Sequence, residues 1–427
     1  MALPQVIVDV GFSSPTVGNV FTIDDPVRGR IGMVPIGSNA TWTDISGWVR
    51  SWRTRRGANR ADAPLVRYDA GTATIVLHDP DRRFDPENLA GPYVVDGWSQ
   101  VEPMRRVRIR AVWDGETYPI FDGFADDWQP DYQGNTWTYV TLTATDATKV
   151  FAANDRVAVD PPVGAGEDSG ARIARILDAS DWPTADRSIS VGDSTMQATD
   201  LDGNQLAEMQ LVQDSELGHL FVDATGRVVF RNRHAMLTDP RSNASQAKFG
   251  DGGYGATGEL PYADVELSSA DEGLANTVTI TRAGGTPQTA VNEAAKARYL
   301  TKTFTKTGLL LETDADVLGY AQMLRSQFGD PGRRFSRIAF RTPTPEVEGA
   351  VWPAVLGRDF GDRITVVRRP PGGGDPIERD VFVRGVEHDS DGEKWTSALA
   401  TQPASRYAFF TIADPILGVI GANAIAY

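Results

Sequence analysis

Arg106-Val107-Arg108-Ile109-Arg110-Ala111 and Val140-Thr141-Leu142-Thr143-Ala144-Thr145 decide the fold of this 427-residue chain. In the first stretch Val107, Ile109 and Ala111 alternate with Arg106, Arg108 and Arg110. In the second Val140, Leu142 and Ala144 alternate with Tyr139, Thr141, Thr143 and Thr145. A period of two sends the apolar set to one face of a sheet and the polar set to the other. Residues 72–78 repeat the pattern, with Ala73, Ile75 and Leu77 opposite Thr72, Thr74 and His78. The punctuation between these runs is turn chemistry: Asp79-Pro80-Asp81, Gly91-Pro92, Asp114-Gly115 and Gln133-Gly134-Asn135. Asp114-Gly115 between two apolar runs predicts a tight hairpin.

Outward from this core the texture changes. Residues 1–48, rich in Gly, Pro, Thr and Val, predict short strands and turns, and a clearer strand runs over 49–56 and closes at Gly57. Beyond 150, residues 160–166 read as a linker. A short helix follows, capped by Ser169, with Ile173, Ile176 and Leu177 on one face and a stop at Trp182-Pro183. A second helix is predicted over 205–217, with Gly218 at its C-terminal cap. A hairpin spans His219–Val222 and Arg227–Arg231, and a β-type run covers 276–282. The clearest helix is 314–328, opened by a Thr313/Asp316 capping box and carrying Val317, Tyr320, Ala321, Leu324 and Phe328 at helical spacing. Strands resume at 335–341, 363–368, 380–387 and 394–400. The reading is a mainly β, β-rich α+β chain of several domains.

Composition bounds function. The net charge of −15 argues against DNA or an anionic membrane as a principal partner, since phosphate binding needs clustered cations. It suits a surface past which DNA slides without sticking, and equally a surface kept soluble by charge. The absence of cysteine excludes disulfides, thiolate catalysis and Cys-ligated metals. No signal peptide is read at the start. Residues 415–427 carry no charge, are too short to span a bilayer, and are expected to dock on this protein or a partner.

Several motifs invite chemical readings. Gly250-Asp251-Gly252-Gly253-Tyr254-Gly255 matches a dinucleotide fingerprint, but no helix pattern begins inside it, so a surface loop is expected. His78, His219, His234 and His388 lack ligand spacing and read as single structural or surface residues. Asp79, Asp81 and Asp85 superficially resemble a calcium loop, yet Ala90 stands where a bidentate Glu belongs, and a turn is the better reading. Asp200, Asp202 and Asn204 are explained by helix capping. Carboxylate pairs able to cleave a glycosidic bond are inevitable among 57 acidic residues, and nothing singles one out. No catalytic, cofactor-binding or metal-binding residue is assigned, and no enzyme activity is expected. Arginines cluster at 105–110 and at Arg50, Arg53, Arg55, Arg56 and Arg60. They read either as ion-pairing groups at a subunit interface or as an ordinary solvated sheet face.

The order of several motifs resembles a known family. Ser51-Trp52-Arg53-Thr54-Arg55-Arg56-Gly57, Tyr68 to Leu77, Arg83-Phe84-Asp85-Pro86-Glu87-Asn88, Pro103 to Ile109, Tyr118 to Phe124 and Val140 to Asp146 look like minor tail proteins of actinobacterial siphophages. Residues 215–230, and Val386-Glu387-His388 with Trp395 and Leu399, are similar to later parts of that family. The resemblance implies a tube-like β-barrel or sandwich domain at 1–150, a middle α+β domain at 151–262, a second tube-like domain with one long helix at 263–404, and an apolar tail at 405–427. It implies a homotrimeric hub at the tip of a phage tail, continuing the tube and gating it for DNA ejection. Implied partners are a distal tail protein, the C-terminus of a tape measure protein, and other minor tail or fibre proteins. DNA would pass the lumen without specific binding, no stable membrane insertion is implied, and assembly would take place in the host cytoplasm. The alternatives are a hexameric distal tail ring and a glycan-binding or cell-wall-degrading tip protein. The sequence shows no appended lytic or carbohydrate-binding domain before Tyr427, so host recognition is expected to fall to other proteins.

Overall fold

The computed structural model describes residues 2–407, except 13–41, 59, 96, 134–136, 156, 158, 202, 270 and 272. Most of the strands expected before residue 49, the 134–135 part of one turn, Asp202 and the tail from 408 onward lie outside the described residues.

The fold is mainly β, as the alternation predicts. Ala73, Ile75, Leu77, Val107, Ile109, Ala111, Val140, Leu142 and Ala144 are all buried, at 0–2% exposure. Their strands, Tyr68–His78, Arg106–Trp113 and Trp137–Thr145, sit in one antiparallel sheet. The Asp114-Gly115 hairpin forms between Arg106–Trp113 and Glu116–Gln133, with φ of 50° and 82° at its two turn residues. Positive φ at both positions matches the turn twist to the strand twist.

Among the described residues no closed barrel forms. The main sheet has 13 strands and runs unbroken from Asp264–Ser268 through Arg334–Arg341, Trp395–Pro403, Ile377–Ser390, Val49–Ala58, Tyr68–His78, Trp137–Thr145, Glu116–Gln133, Arg106–Trp113 and Gln5–Gly11 to Thr43–Asp44. Ser245–Gly250 and Arg363–Arg368 branch from it beside Ile377–Ser390. The N-terminal and C-terminal β-regions are therefore fused through one antiparallel pair, Val49–Ala58 with Ile377–Ser390.

Distinct apolar cores accompany this sheet. One fills the N-terminal half and takes in Trp352 from helix Glu348–Leu356, so the C-terminal half plugs into the N-terminal core. At the seam Trp52 and Trp395 meet edge to face with centroids 4.9 Å apart, and Trp352 lies 5.5 Å from Trp395. Such aromatic pairs add about 0.5–1.5 kcal/mol each beyond area burial. A second core lies in the C-terminal half of the sheet, and a third joins helices Ser169–Asp178 and Gln205–Glu216 to hairpin His219–Arg231.

The helix Asp314–Phe328 forms with its capping box intact. It does not lie on the main sheet, however. It packs on a separate three-stranded sheet, Thr277–Arg282, Gln288–Val291 and Thr303–Leu309, with which it shares a core of its own. Two caps differ from expectation. Asp168 caps Ser169–Asp178 by accepting from the Ala171 N–H at 3.0 Å, while the buried Ser169 hydroxyl donates to Glu216 at 2.9 Å. Leu217, with φ 59°, is the left-handed residue that ends Gln205–Glu216. Gly218 is required for space, since a Cβ there would stand 2.6 Å from the Arg231 carbonyl oxygen.

Candidate assembly surface

The arginine-rich strand Val49–Ala58 lies at the centre of the seam. Its register places Arg53 opposite Asp389, Arg55 opposite Glu387 and Gly57 opposite Gly385. Alternation then divides the cluster. Arg50, Arg53 and Arg55 are exposed, whereas Trp52, Thr54 and Arg56 are buried.

Arg56 is thus a structural residue and not part of a surface patch. Its Nε donates to the Ile120 carbonyl at 3.0 Å, its Nη1 pairs with Asp359 at 3.1 Å, and its guanidinium lies 5.0 Å from the Phe360 ring centre. Arg55 pairs with Glu387 at 3.5 Å, and Arg337 approaches the same carboxylate at 3.6 Å. These groups are well exposed, so each pair stabilises the fold by at most about 1 kcal/mol. Arg53 lines a shallow groove of about 460 Å³ with Arg337, Arg341, Asp264 and Asp389. Beyond it the outward row continues through Thr74 and Thr143 to Asp127. The result is a broad, polar, mixed-charge face spanning both halves of the sheet.

The second arginine cluster is ion-paired within the chain. Arg106 pairs with Asp122 at 2.8 Å, and Arg108 and Arg110 both reach Asp9, at 2.8 and 2.6 Å. Arg105 pairs with Glu102. Here the alternation that marks a strand also aligns three guanidinium groups against carboxylates of neighbouring strands.

Asp122 is 8% exposed, and burial, opposed by Arg106 and Arg108, pushes its carboxyl up to about 6. A raised carboxyl pKa favours the fold while the group is protonated. That contribution is complete below pH 4 and is lost as pH rises through about 6. Relative to wild type, Asp122→Asn is therefore expected to gain on the order of 3 kcal/mol between pH 4 and pH 7. Urea unfolding of both proteins across that range tests this, and a pH-independent difference would contradict it.

The other sequence motifs resolve individually. His388 is buried beside Trp395, with Nδ1 2.8 Å from the Ser397 hydroxyl, and burial together with Arg56 pushes its pKa down to about 3. His219 is buried and also shifted down, His234 lies 3.0 Å from Asp193, and His78 is half-buried near Tyr139. Asp79 accepts the Arg83 and Phe84 N–H groups at 2.8 and 3.0 Å, and Asp85 accepts from Tyr132 and Arg82, so both organise a turn. Asp81 pairs with Arg83 at 2.9 Å. Asn204 caps its helix through Leu206 N–H at 3.1 Å, and Asp200 is exposed.

The glycine-rich loop departs from expectation. Strand Ser245–Gly250 leads in and a single helical turn, Tyr254–Thr257, does begin inside the motif. The Gly252 N–H donates to Glu259 at 3.0 Å, and that carboxylate is gripped by Arg369 and held down at about 2. A carboxylate of the chain itself thus occupies the turn where a pyrophosphate would have to sit. Among the described residues no cluster of His, Asp and Glu has the arrangement of a metal site, and no helix is long and apolar enough to cross a membrane.

Among the described residues the sheet is open, one face is polar and mixed in charge, and the arginines of Arg106–Trp113 are ion-paired within the chain. Over most of its length the chain is similar to a tail protein from Neisseria meningitidis MC58, with a TM-score of 0.55 and 11% identity over 94% of this chain and 98% of that one. It is likewise similar to the 43 kDa tail protein of prophage MuSo2 from Shewanella oneidensis, with a TM-score of 0.51 and 10% identity over 95% and 98% of the two chains. At such identities the likeness is one of fold. No protein-family model matches the chain, and no curated protein matches it by sequence.

Proposed function

We propose that the chain is a structural, non-enzymatic subunit of a phage tail tip, and that three copies form its hub. The observation that carries this reading is the register from Arg53–Asp389 to Gly57–Gly385, which locks two β-regions of one chain into a single open sheet. Three such subunits present six β-regions, the number needed to continue a sixfold tube with threefold symmetry. Asp264–Ser268 and Thr43–Asp44 are the outermost strands of the sheet among the described residues, and on this reading neighbouring copies add to them. The mixed Arg, Thr and Asp face suits a lumen in which DNA finds no continuous cationic track.

On this reading 1–150 and 263–404 are the tube-forming regions, 151–262 is the middle domain, and the apolar tail packs at an interface. A distal tail protein, a tape measure C-terminus and fibre proteins are the neighbours in a siphophage virion. Electron microscopy of the assembled tail tip tests the proposal. Threefold averaging with two matching β-lobes per subunit is expected. Six identical subunits would favour the distal ring instead, and a monomer in the virion would overturn both.

A further inference from the structure

A cleft of about 440 Å³ lies between the main sheet and the separate three-stranded sheet. Its apolar lining, among the described residues, comes from two places. Ala63, Pro64 and Leu65 belong to the loop after Val49–Ala58, and Leu274, Ala275 and Phe304 to the small sheet and the chain leading into it. Leu65 and Phe304 pack at the edge of the small sheet's core, yet they and Pro64 are only half-buried. Of the charged residues that line the cleft, Asp62 and Arg334 are paired with each other at 2.6 Å. The volume falls within the roughly 300–1,000 Å³ typical of binding pockets.

The chain itself leads to this cleft. Arg406 donates to Asp62 at 3.1 Å. The next residue, Tyr407, lines a small pocket that shares Ala63, Pro64 and Leu65 with the cleft. Tyr407 is fixed there, its hydroxyl accepting from Arg384 at 3.0 Å and its ring meeting Phe382 edge to face. Residues 408–427 lie outside the described residues. Their sequence begins Ala408-Phe409-Phe410-Thr411-Ile412 and carries no charge before Asp414. At up to about 3.6 Å per residue, Phe410 is within roughly 11 Å of chain from Tyr407. Each of the two phenylalanines can bury about 150–250 Å², which makes a half-buried apolar wall at that distance a favourable place for them.

We propose that residues 409–412 fill this cleft within the same chain and strap the small sheet to the main one. The same chain is favoured over a second copy because Tyr407 is held at the border of the cleft and the tether from it is short. This docking does not depend on threefold assembly. It leaves the residues beyond Asp414 for the interface assigned to the tail above, so the two readings fail separately.

Crosslinking of the full chain tests it. The chain has no cysteine, so two introduced thiols are the only ones. Thr303→Cys places one on the exposed rim of the cleft, and Thr411→Cys places the other in the segment. A mixture of isotopically heavy and light chains is treated with a short bismaleimide and read by mass spectrometry, with a monofunctional maleimide correcting for thiol reactivity. The thiols are expected to link within one chain. Adding Phe409→Ser and Phe410→Ser should slow that link at least about fivefold, because docking is what raises the local concentration of one thiol beside the other. Links between heavy and light chains would give the cleft to a second copy and overturn docking within the chain. Linking as fast with serine as with phenylalanine would show that the tether alone brings the thiols together, and would overturn it too, as would the absence of any link.

Discussion

Gly57→Ala is expected to part the two halves of the sheet and to lower the unfolding free energy by about 3 kcal/mol or more. Gly57 has φ +147°, a conformation that side chains resist. A Cβ there would stand 2.4 Å from the Gly385 Cα and 2.8 Å from the Arg384 carbonyl oxygen. Both obstacles are backbone of the facing strand, so no rotamer change relieves them. Pairing registers shift beside both glycines, between Arg55 and Gly57 and between Val383 and Gly385, which bends the two strands where they cross. Separating the strands there would also strain the buried Arg56 contacts and the Trp52–Trp395 pair. Gly47→Ala is the control, because no described residue lies within 4 Å of a Cβ at that position. It should change stability by less than about 0.5 kcal/mol. Urea unfolding followed by tryptophan fluorescence measures both. A Gly57 variant as stable as the control would show that the seam tolerates separation.

The β-regions were legible where a strand has one buried and one more solvated face, as in Tyr68–His78, Arg106–Trp113 and residues 138–145, because a period of two survives in sequence there. Caps formed from adjacent residues were legible as well, as Thr313 and Asn204 show. What sequence concealed depends on distant contacts. Ser169 and Asp168 are both good caps, and the choice is made by Glu216, which claims the Ser169 hydroxyl. Helix Glu348–Leu356 carries Pro353 in its interior, which argues against a helix locally. It forms because Val351, Trp352, Val355 and Leu356 are buried against both halves of the sheet. The partners of the arginines were equally hidden. Arg56 and Asp359 lie 303 residues apart, and no periodicity links them.

The same dependence on distant partners makes Asp62→Ala the second large effect, with an expected loss of about 3–5 kcal/mol. Asp62 accepts from Arg334 Nη1 at 2.6 Å and from Arg406 Nη2 and Nε at 3.1 and 3.3 Å. All three side chains are only 6–9% exposed. One carboxylate is therefore shared by two buried guanidinium groups, from the strand Arg334–Arg341 and from the turn Ala404–Tyr407. Arg406 also donates to the Gln327 carbonyl and lies 4.5 Å from the Phe328 ring centre, which clips that turn to the end of the long helix. Alanine at position 62 would strand both cations, and a lone buried charge costs more than the pair contributes. Replacing all three residues with apolar ones, as Asp62→Leu with Arg334→Met and Arg406→Met, should therefore destabilise the fold less than Asp62→Ala alone. Trypsin gives a local readout, because the Arg406–Tyr407 bond is shielded while Arg406 is held. In Asp62→Ala that bond should be cleaved well before global unfolding. Continued protection of it, with a stability loss under about 1 kcal/mol, would mean that Asp62 does not secure the turn.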